Sequence, residues 1–572
     1  MRSPWLVLSL AGYVLGGSAA ALAAARVDPR ALSVHPFTGQ RGATFLATVR
    51  GNGLGQATSA FLDNAPLTLT IEGAEAEPPG ASAGRSKTPF DLVRLRVQVA
   101  PDAKPGRYLF RLVTPQGVSN ALPLHITEYP VAAEPPGSHE TPDTAVLVDK
   151  FPALFSGRIG RRGESDYYAF QAQAGQRLTL EAISGLPSIG GPGGNAAGFD
   201  PSLTLFEPSG SWFDPQRVNR IAFNDEPLWV AGRLTDAHLI HKFEKSGRYL
   251  LRVEAFSGQG GPDYSYHLKI LAGESAPDLP LRAETWEERV FTRRLSANRL
   301  NELVARGGKP QDQKSVETYR ATATSAPTFQ LPGTVEGGLA EPGETHRAHF
   351  RLDGPQDLAI EVETPATAPP LFNPIVRLLN TAGQEVATNI FVGRGACSGA
   401  LVKSLQAKTI VPVRDPGDYT VEIRDTTSDL AEPGFRYRLQ VRPQIPHLGQ
   451  VKIDEDHVNL ALEETKTIRV IFDREEGYHG AVAVAVESLP PGVQALAGAD
   501  FEPDKDPPQF LGKRERYTPR TERTVVVFTA SAEAAPMRQP QVARLVVRPI
   551  ADGKLGDVVA VKQIPVMVIA KP

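Results

Sequence analysis

Apolar residues recur at every second position through most of the chain. The densest set runs Tyr168/Phe170, Leu178/Leu180, Leu203/Leu205, Tyr249/Leu251/Val253 and Tyr266/Leu268/Ile270. A period of two places such side chains on one face of a strand, and the Gly, Pro, Asp and Asn between the runs supply tight turns. The alternation also appears earlier, at Val93/Leu95/Val97/Val99 and Tyr108/Phe110/Leu112. It returns at Ile468/Val470/Phe472, Val482/Val484/Val486, Val525/Val527, Leu545/Val547 and Val566/Val568. One buried and one wet face per strand predict an all-β chain of tandem antiparallel β-sandwiches, immunoglobulin-like and jelly-roll-like.

The pattern divides the chain. Residues 31–128 form a first sandwich, 144–272 a second, 328–443 a third and 450–572 a fourth, after a signal peptide at 1–25. A Pro-rich acidic linker at 129–143 precedes the second sandwich. Around 278–315 the period changes: Trp286, Val290, Leu300, Leu303 and Val304 fall at near-helical spacing, with Ser296 as a cap and Gly307 as a stop. This predicts a short helical linker. The third segment repeats the second at low identity. Gly333 answers Gly157, Phe350 answers Phe170, Gly417-Asp418-Tyr419 answers Gly247-Arg248-Tyr249, and Tyr437 answers Tyr266.

A chain of 572 residues is too long for one core. Its net charge of −3 is spread out and no basic block exists, which leaves nucleic-acid binding without an electrostatic footprint. Arg2, the apolar run 5–15 and the small-residue stretch 21–25 read as an export signal. The run is shorter than a spanning helix needs, and the alternative reading is an uncleaved anchor. No other run is long enough to span a membrane. The one cysteine, Cys397, excludes an intramolecular disulfide, so an exported chain must be stabilised by burial or bound metal.

Several spaced motifs in the second segment go together: Gly157-Arg158-Ile159, the acidic turn Glu164-Ser165-Asp166 before an aromatic strand, Ala174-Gly175, Asp200-Pro201, Asn224-Asp225-Glu226, and Gly247-Arg248-Tyr249 before Tyr266-His267-Leu268. With these, the segment resembles the bacterial pre-peptidase C-terminal (PPC) domain, an accessory sandwich of secreted proteins, often proteases, that is not itself a catalyst. The third segment resembles a divergent second copy. The first, with Pro36, Gly39, Gly42 and Gly51-Asn52-Gly53-Leu54, resembles the IPT/TIG immunoglobulin-like fold. Some PPC domains hold calcium between the linker and the acidic turn. That resemblance implies Glu140, Asp143, Glu164 and Asp166 as oxygen ligands to Ca²⁺; the bland reading is solvated turn carboxylates. In the third segment His346 stands where Asp166 does, so that copy is expected to lack the ion.

Other chemistry is sparse. His238 and His241 would pair on a helix but not on a strand. Cys397 has no partner base in view. No G-x-S-x-G, H-E-x-x-H or Walker pattern occurs. Trp212, Phe213 and Trp229 lie in loops and are candidate ligand-binding aromatics. These features predict an exported, non-catalytic modular protein that binds a protein or polysaccharide surface. The rivals are a protease-associated hydrolase with an unrecognised site and a purely structural spacer.

Overall fold

The computed structural model describes residues 28–62, 66–78, 90–185, 199–208, 218–224, 237–256, 258–272, 281–282, 318–365, 373–394, 401–426, 431, 435–497, 520–551 and 553–571. Among these, strands make up nearly all regular structure. The helix among the described residues is the single 3₁₀ turn Pro142–Thr144. The signal peptide lies outside the described residues. So does the helical linker except for 281–282, which form a short strand, Leu281–Arg282, against Thr364 and Pro365. No helix of the described residues is long and apolar enough to cross a membrane.

Four sandwiches follow one another, each with its own core. The second shows how the alternation builds them. One sheet carries Ala153–Arg158, Ser265–Ala272, Arg177–Ser184 and Ala237–Lys242 in that order; the other carries Ser165–Ala172, Gly247–Ala255, Pro201–Pro208 and Val218–Asn224. Tyr168, Phe170, Leu178, Leu180, Leu203, Leu205, Leu251, Val253, Tyr266, Leu268 and Ile270 point between the sheets and are buried. In this sandwich the expected inward residues are the inward residues; in the fourth, Val526 and Phe528, not the expected Val525 and Val527, fill the core, because the strand's register turns the other set inward. The strand Ala237–Lys242 contains both His238 and His241, so helical spacing does not pair them.

The Gly-x-Tyr motif recurs for a physical reason. Tyr108 Oη donates to the Lys104 carbonyl at 2.7 Å, Tyr249 Oη to the Lys245 carbonyl at 2.7 Å, and Tyr419 Oη to the Asp415 carbonyl at 2.6 Å. Each phenol pins the turn that leads into its own strand, four residues back, as a tyrosine corner does. In the two related sandwiches the ring also stacks on the cross-strand phenylalanine. Phe170 and Tyr249 lie 6.4 Å apart at 26°, Phe350 and Tyr419 5.8 Å apart at 22°.

The register changes one equivalence. Gly157 lies opposite Tyr266, and Gly337, not Gly333, lies opposite Tyr437. A Cβ at Gly157 or at Gly337 would collide with that tyrosine's ring and hydroxyl, so close approach is what both glycines provide. Gly333 instead packs under Phe329.

The sandwiches are docked, and each junction buries charge. Between the first and second, Arg50 makes a two-pronged pair with Glu77 at 2.9 and 3.0 Å and reaches Asp263 at 2.7 Å, with the Phe90 ring 3.7 Å from the guanidinium. Between the first and fourth, Arg111 pairs with Asp456 at 2.9 Å. Asn459 accepts from the Val118 amide and donates to the Val118 carbonyl, both at 2.8 Å, beside an apolar cluster of Val113, Val118, Ala461, Met567 and Ile569. Between the third and fourth, Arg442 donates to both Glu476 oxygens, at 2.8 and 2.6 Å, and to Glu361. Lys408 pairs with Glu361, Glu475 and Glu476. Burial opposes ionisation of Glu476, yet Arg442 and Lys408 hold it down at about 2.

Arg442→Met is expected to lower the stability of the third and fourth sandwiches by about 3–5 kcal/mol, because it leaves three buried carboxylates, Glu361, Glu475 and Glu476, to share Lys408 alone. Urea denaturation of the full chain, followed by near-ultraviolet circular dichroism, measures it.

Candidate functional site

The acidic corner of the second sandwich is the densest set of titratable groups placed there by the predicted motifs. The strand Ser165–Ala172 alternates so that Asp166 points inward with Tyr168 and Phe170, and Asp166 is 2 % exposed. Tyr266 comes from the neighbouring sheet and donates its hydroxyl to Asp166 Oδ2 at 2.7 Å. The Tyr168 hydroxyl lies 2.9 Å from that of Tyr266. With Tyr266 donating to the acid, Tyr168 donates to Tyr266.

On the other side of Asp166 stands Glu134, from the linker, in hydrogen-bond contact with it. The linker is folded onto the sandwich by His139. Its Nε2 lies 2.6 Å from the Pro135 carbonyl, and its own carbonyl accepts from Tyr167 at 2.8 Å. Burial, then the Glu134 charge, raise Asp166 far above the usual carboxylate range; burial raises Glu134 as well. Burial and the like charge of its neighbour thus both favour the protonated form of Asp166. Burial also raises the Tyr168 and Tyr266 hydroxyls well above the ordinary range.

The other three predicted ligands behave differently. Glu164 accepts from the Arg161 amide at 3.0 Å, closing the turn that feeds the strand. Glu140 pairs with the Arg161 guanidinium. Asp143 is exposed at the start of the 3₁₀ turn. Asp166 thus meets Glu134, while Glu140 and Glu164 meet Arg161. Among the described residues no set of three or more His, Cys, Asp or Glu side chains is arranged to hold a metal ion. A hard cation of the calcium type takes six to eight oxygens, and a guanidinium at this corner is not among them.

The third sandwich answers the corner with different chemistry. Glu344 occupies the turn position of Glu164, accepting from the Ala340 and Glu341 amides at 2.6 and 2.9 Å. His346 replaces Asp166. Its Nε2 lies 2.6 Å from Glu344 Oε1 and its Nδ1 2.8 Å from the Tyr437 hydroxyl. Burial works against the Glu344 charge, but His346 and the two amides hold its pKa below the ordinary value. Ala348 stands where Tyr168 does, so that hydroxyl is gone. An imidazole, with a ring nitrogen toward each neighbour, completes the network without an acidic pair. His346 and Tyr437 are each 1 % exposed, so this Glu–His–Tyr set is enclosed by the sandwich.

Trp212, Phe213, Trp229 and Cys397 lie outside the described residues. The strands that bracket the first two, Pro201–Pro208 and Val218–Asn224, form a hairpin. The segment with Trp229 leaves from its opposite end, beyond Asn224. Tyr264 is half-buried against Phe199, at 5.4 Å, while Tyr249 and Tyr266 are core residues.

No protein-family model matches the chain, and no curated protein matches it in sequence. Among solved structures, it is similar to the pre-peptidase C-terminal domain of collagenase from Bacillus anthracis at 15 % identity, covering 23 % of this chain and all of that one, with a TM-score of 0.14. It is similar to SGBP-B of a Bacteroides ovatus mixed-linkage glucan utilization locus, seen in complex with a heptasaccharide, at 10 % identity over 68 % of this chain and 72 % of that one, TM-score 0.13. The surface layer protein SbsC, domains 1–6, matches at 11 % identity over 96 % of this chain and 55 % of that one, TM-score 0.15. Scores this low carry no argument about function.

Adding calcium or a chelator is expected to leave the melting midpoint of the full chain unchanged to within about 1 °C, because a ligand of the folded state would raise it. Tyr266→Phe is expected to cost about 1–3 kcal/mol, by stripping the buried Asp166 of its donor. Differential scanning calorimetry measures the first and urea titration the second.

Proposed function

We propose that this chain is an exported, non-catalytic scaffold of β-sandwiches that binds a protein or polysaccharide surface, its second and third sandwiches being a PPC-like pair. The observation that carries the reading is enclosure. The groups best suited to chemistry, the Asp166–Tyr266 pair, the Glu344–His346–Tyr437 set and the Lys408–Arg442 cluster, are buried in cores or junctions. Tyr266 is 0 %, His346 1 % and Lys408 5 % exposed. Groups in such places stabilise a framework, and a framework of this kind works through its loops. Trp212, Phe213 and Trp229 are the residues assigned to contact, since aromatic anchors dominate recognition of flat surfaces. Calcium has no part in this reading, in which the acidic corner is a structural element.

The test is co-sedimentation of the purified full chain with insoluble cell-wall polysaccharide, and capture of secreted proteins on immobilised chain. Retention on one of them is expected, with at least about a tenfold loss of affinity for a Trp212→Ala/Trp229→Ala double variant that keeps its melting midpoint. Hydrolysis of the retained polymer or protein would overturn the non-catalytic reading. Retention unaffected by the double variant would overturn the assignment of the aromatic residues.

A further inference from the structure

On the strand Ser265–Ala272 the even residues Tyr266, Leu268 and Ile270 fill the core, so Ser265, His267 and Lys269 face outward. An outward histidine on a sandwich ordinarily meets water, yet His267 is 1 % exposed. The first sandwich covers it. Phe37 lies edge-on to His267 at 6.5 Å and to His125 at 5.5 Å. A Cβ on Gly185 would collide with the Phe37 ring, and Ile183, also outward, packs against the first core. His35 reaches the same junction from the first sandwich, facing Arg158 of the second. Three histidines thus share one interface.

Their surroundings leave no room for a proton. Among the described residues, His35 Nδ1 and His267 Nε2 are enclosed without a hydrogen-bond partner. His267 Nδ1 lies 3.2 Å from the Phe155 carbonyl. The nearby cations are Arg158 for His35, Arg107 and Lys269 for His125, and Lys269 for His267. Asp263 pairs with Arg50 and Ser33, and Glu77 with Arg50; Glu181, which pairs with Lys269, also faces His267 and opposes the effect of burial there, but more weakly than burial and Lys269 act.

We propose that this junction is an acid-sensitive joint, in which uptake of protons by His35, His125 and His267 separates the first sandwich from the second while both remain folded. Burial, then the adjacent cations, push the docked histidines down to about 3, 4 and 3 respectively. Undocked, they would titrate near 6.5. Docking is therefore at full strength above about pH 6.5 and is lost as pH falls, by up to about tenfold per pH unit for each histidine. The window from 6.5 to 5 lies above the ordinary carboxylate range, so the histidines dominate it.

The experiment uses the full chain with Cys397→Ser and dyes on Leu46→Cys and Leu147→Cys, which are exposed on the first and second sandwiches. Energy transfer between the dyes is followed from pH 7.5 to 5, with near-ultraviolet circular dichroism as the monitor of folding. The expected result is a fall in transfer at constant dichroism, with a steepness approaching three protons per opening. His267→Gln and His125→Gln should each reduce the steepness by about one proton. Should His267→Gln not fold, the half-buried His125 still gives the readout. Constant transfer down to pH 5, a fall that coincides with loss of dichroism, or a steepness indifferent to the substitutions would overturn the joint.

Discussion

A charge removed from water must find its counter-charge fixed beside it, and the three junctions between sandwiches rest on that constraint. Arg50 is anchored by Glu77 within the first sandwich and is thereby aimed at Asp263 of the second. Arg111 is aimed at Asp456 of the fourth. Arg442 and Lys408, from the third, meet Glu476, whose backbone is left-handed at φ 51°, in a pocket also formed by Glu361 and Glu475. Each arrangement favours one relative placement of its two sandwiches. Apolar contact alone, being non-directional, would specify the placements far less sharply.

The interiors were legible in the alternation because a strand has only two faces, except where both faces are apolar: in the run Val525–Phe528 the core set is Val526 and Phe528, not Val525 and Val527. Where Leu178/Leu180 or Val566/Val568 alternate, the inward set is fixed once the strand is recognised, and the structure buries those residues. The junctions were not legible, because they are made from the other set. His267, Ile183 and Ser156 occupy outward positions, and only the approach of a second sandwich buries or half-buries them. A one-dimensional pattern records which residues face away from a core but not what covers them.

The acidic corner was legible in part for a similar reason. Asp166 is marked by its turn and its aromatic strand. Its partner is a matter of how the linker folds, and there Glu134, not Glu140 or Asp143, arrives beside it, because Ala132–Ala133 pairs with Phe155–Ser156 and the Glu134 amide donates to the Ser156 carbonyl. The duplicated sandwich shows what is essential in the network. The glycine beneath the tyrosine ring, the turn glutamate and the tyrosine persist as Gly337, Glu344 and Tyr437, while the group between them changes from carboxyl to imidazole. What is retained is a filled donor and acceptor chain in a closed space. Its chemical identity is free to vary.

The contact between Asn459 and Val118 spans most of the chain, and the strand Ala560–Ile569 lies against the same face of the first sandwich. Ribosomes make the N-terminal part first, and domains fold as they emerge. The face bearing Val113 and Val118 therefore stays bare until the strands carrying Asn459, Ala461, Met567 and Ile569 have been added. A chain without the fourth sandwich leaves the apolar pair Val113 and Val118 uncovered. Emergence of the fourth sandwich is in this sense also the event that closes the surface of the first.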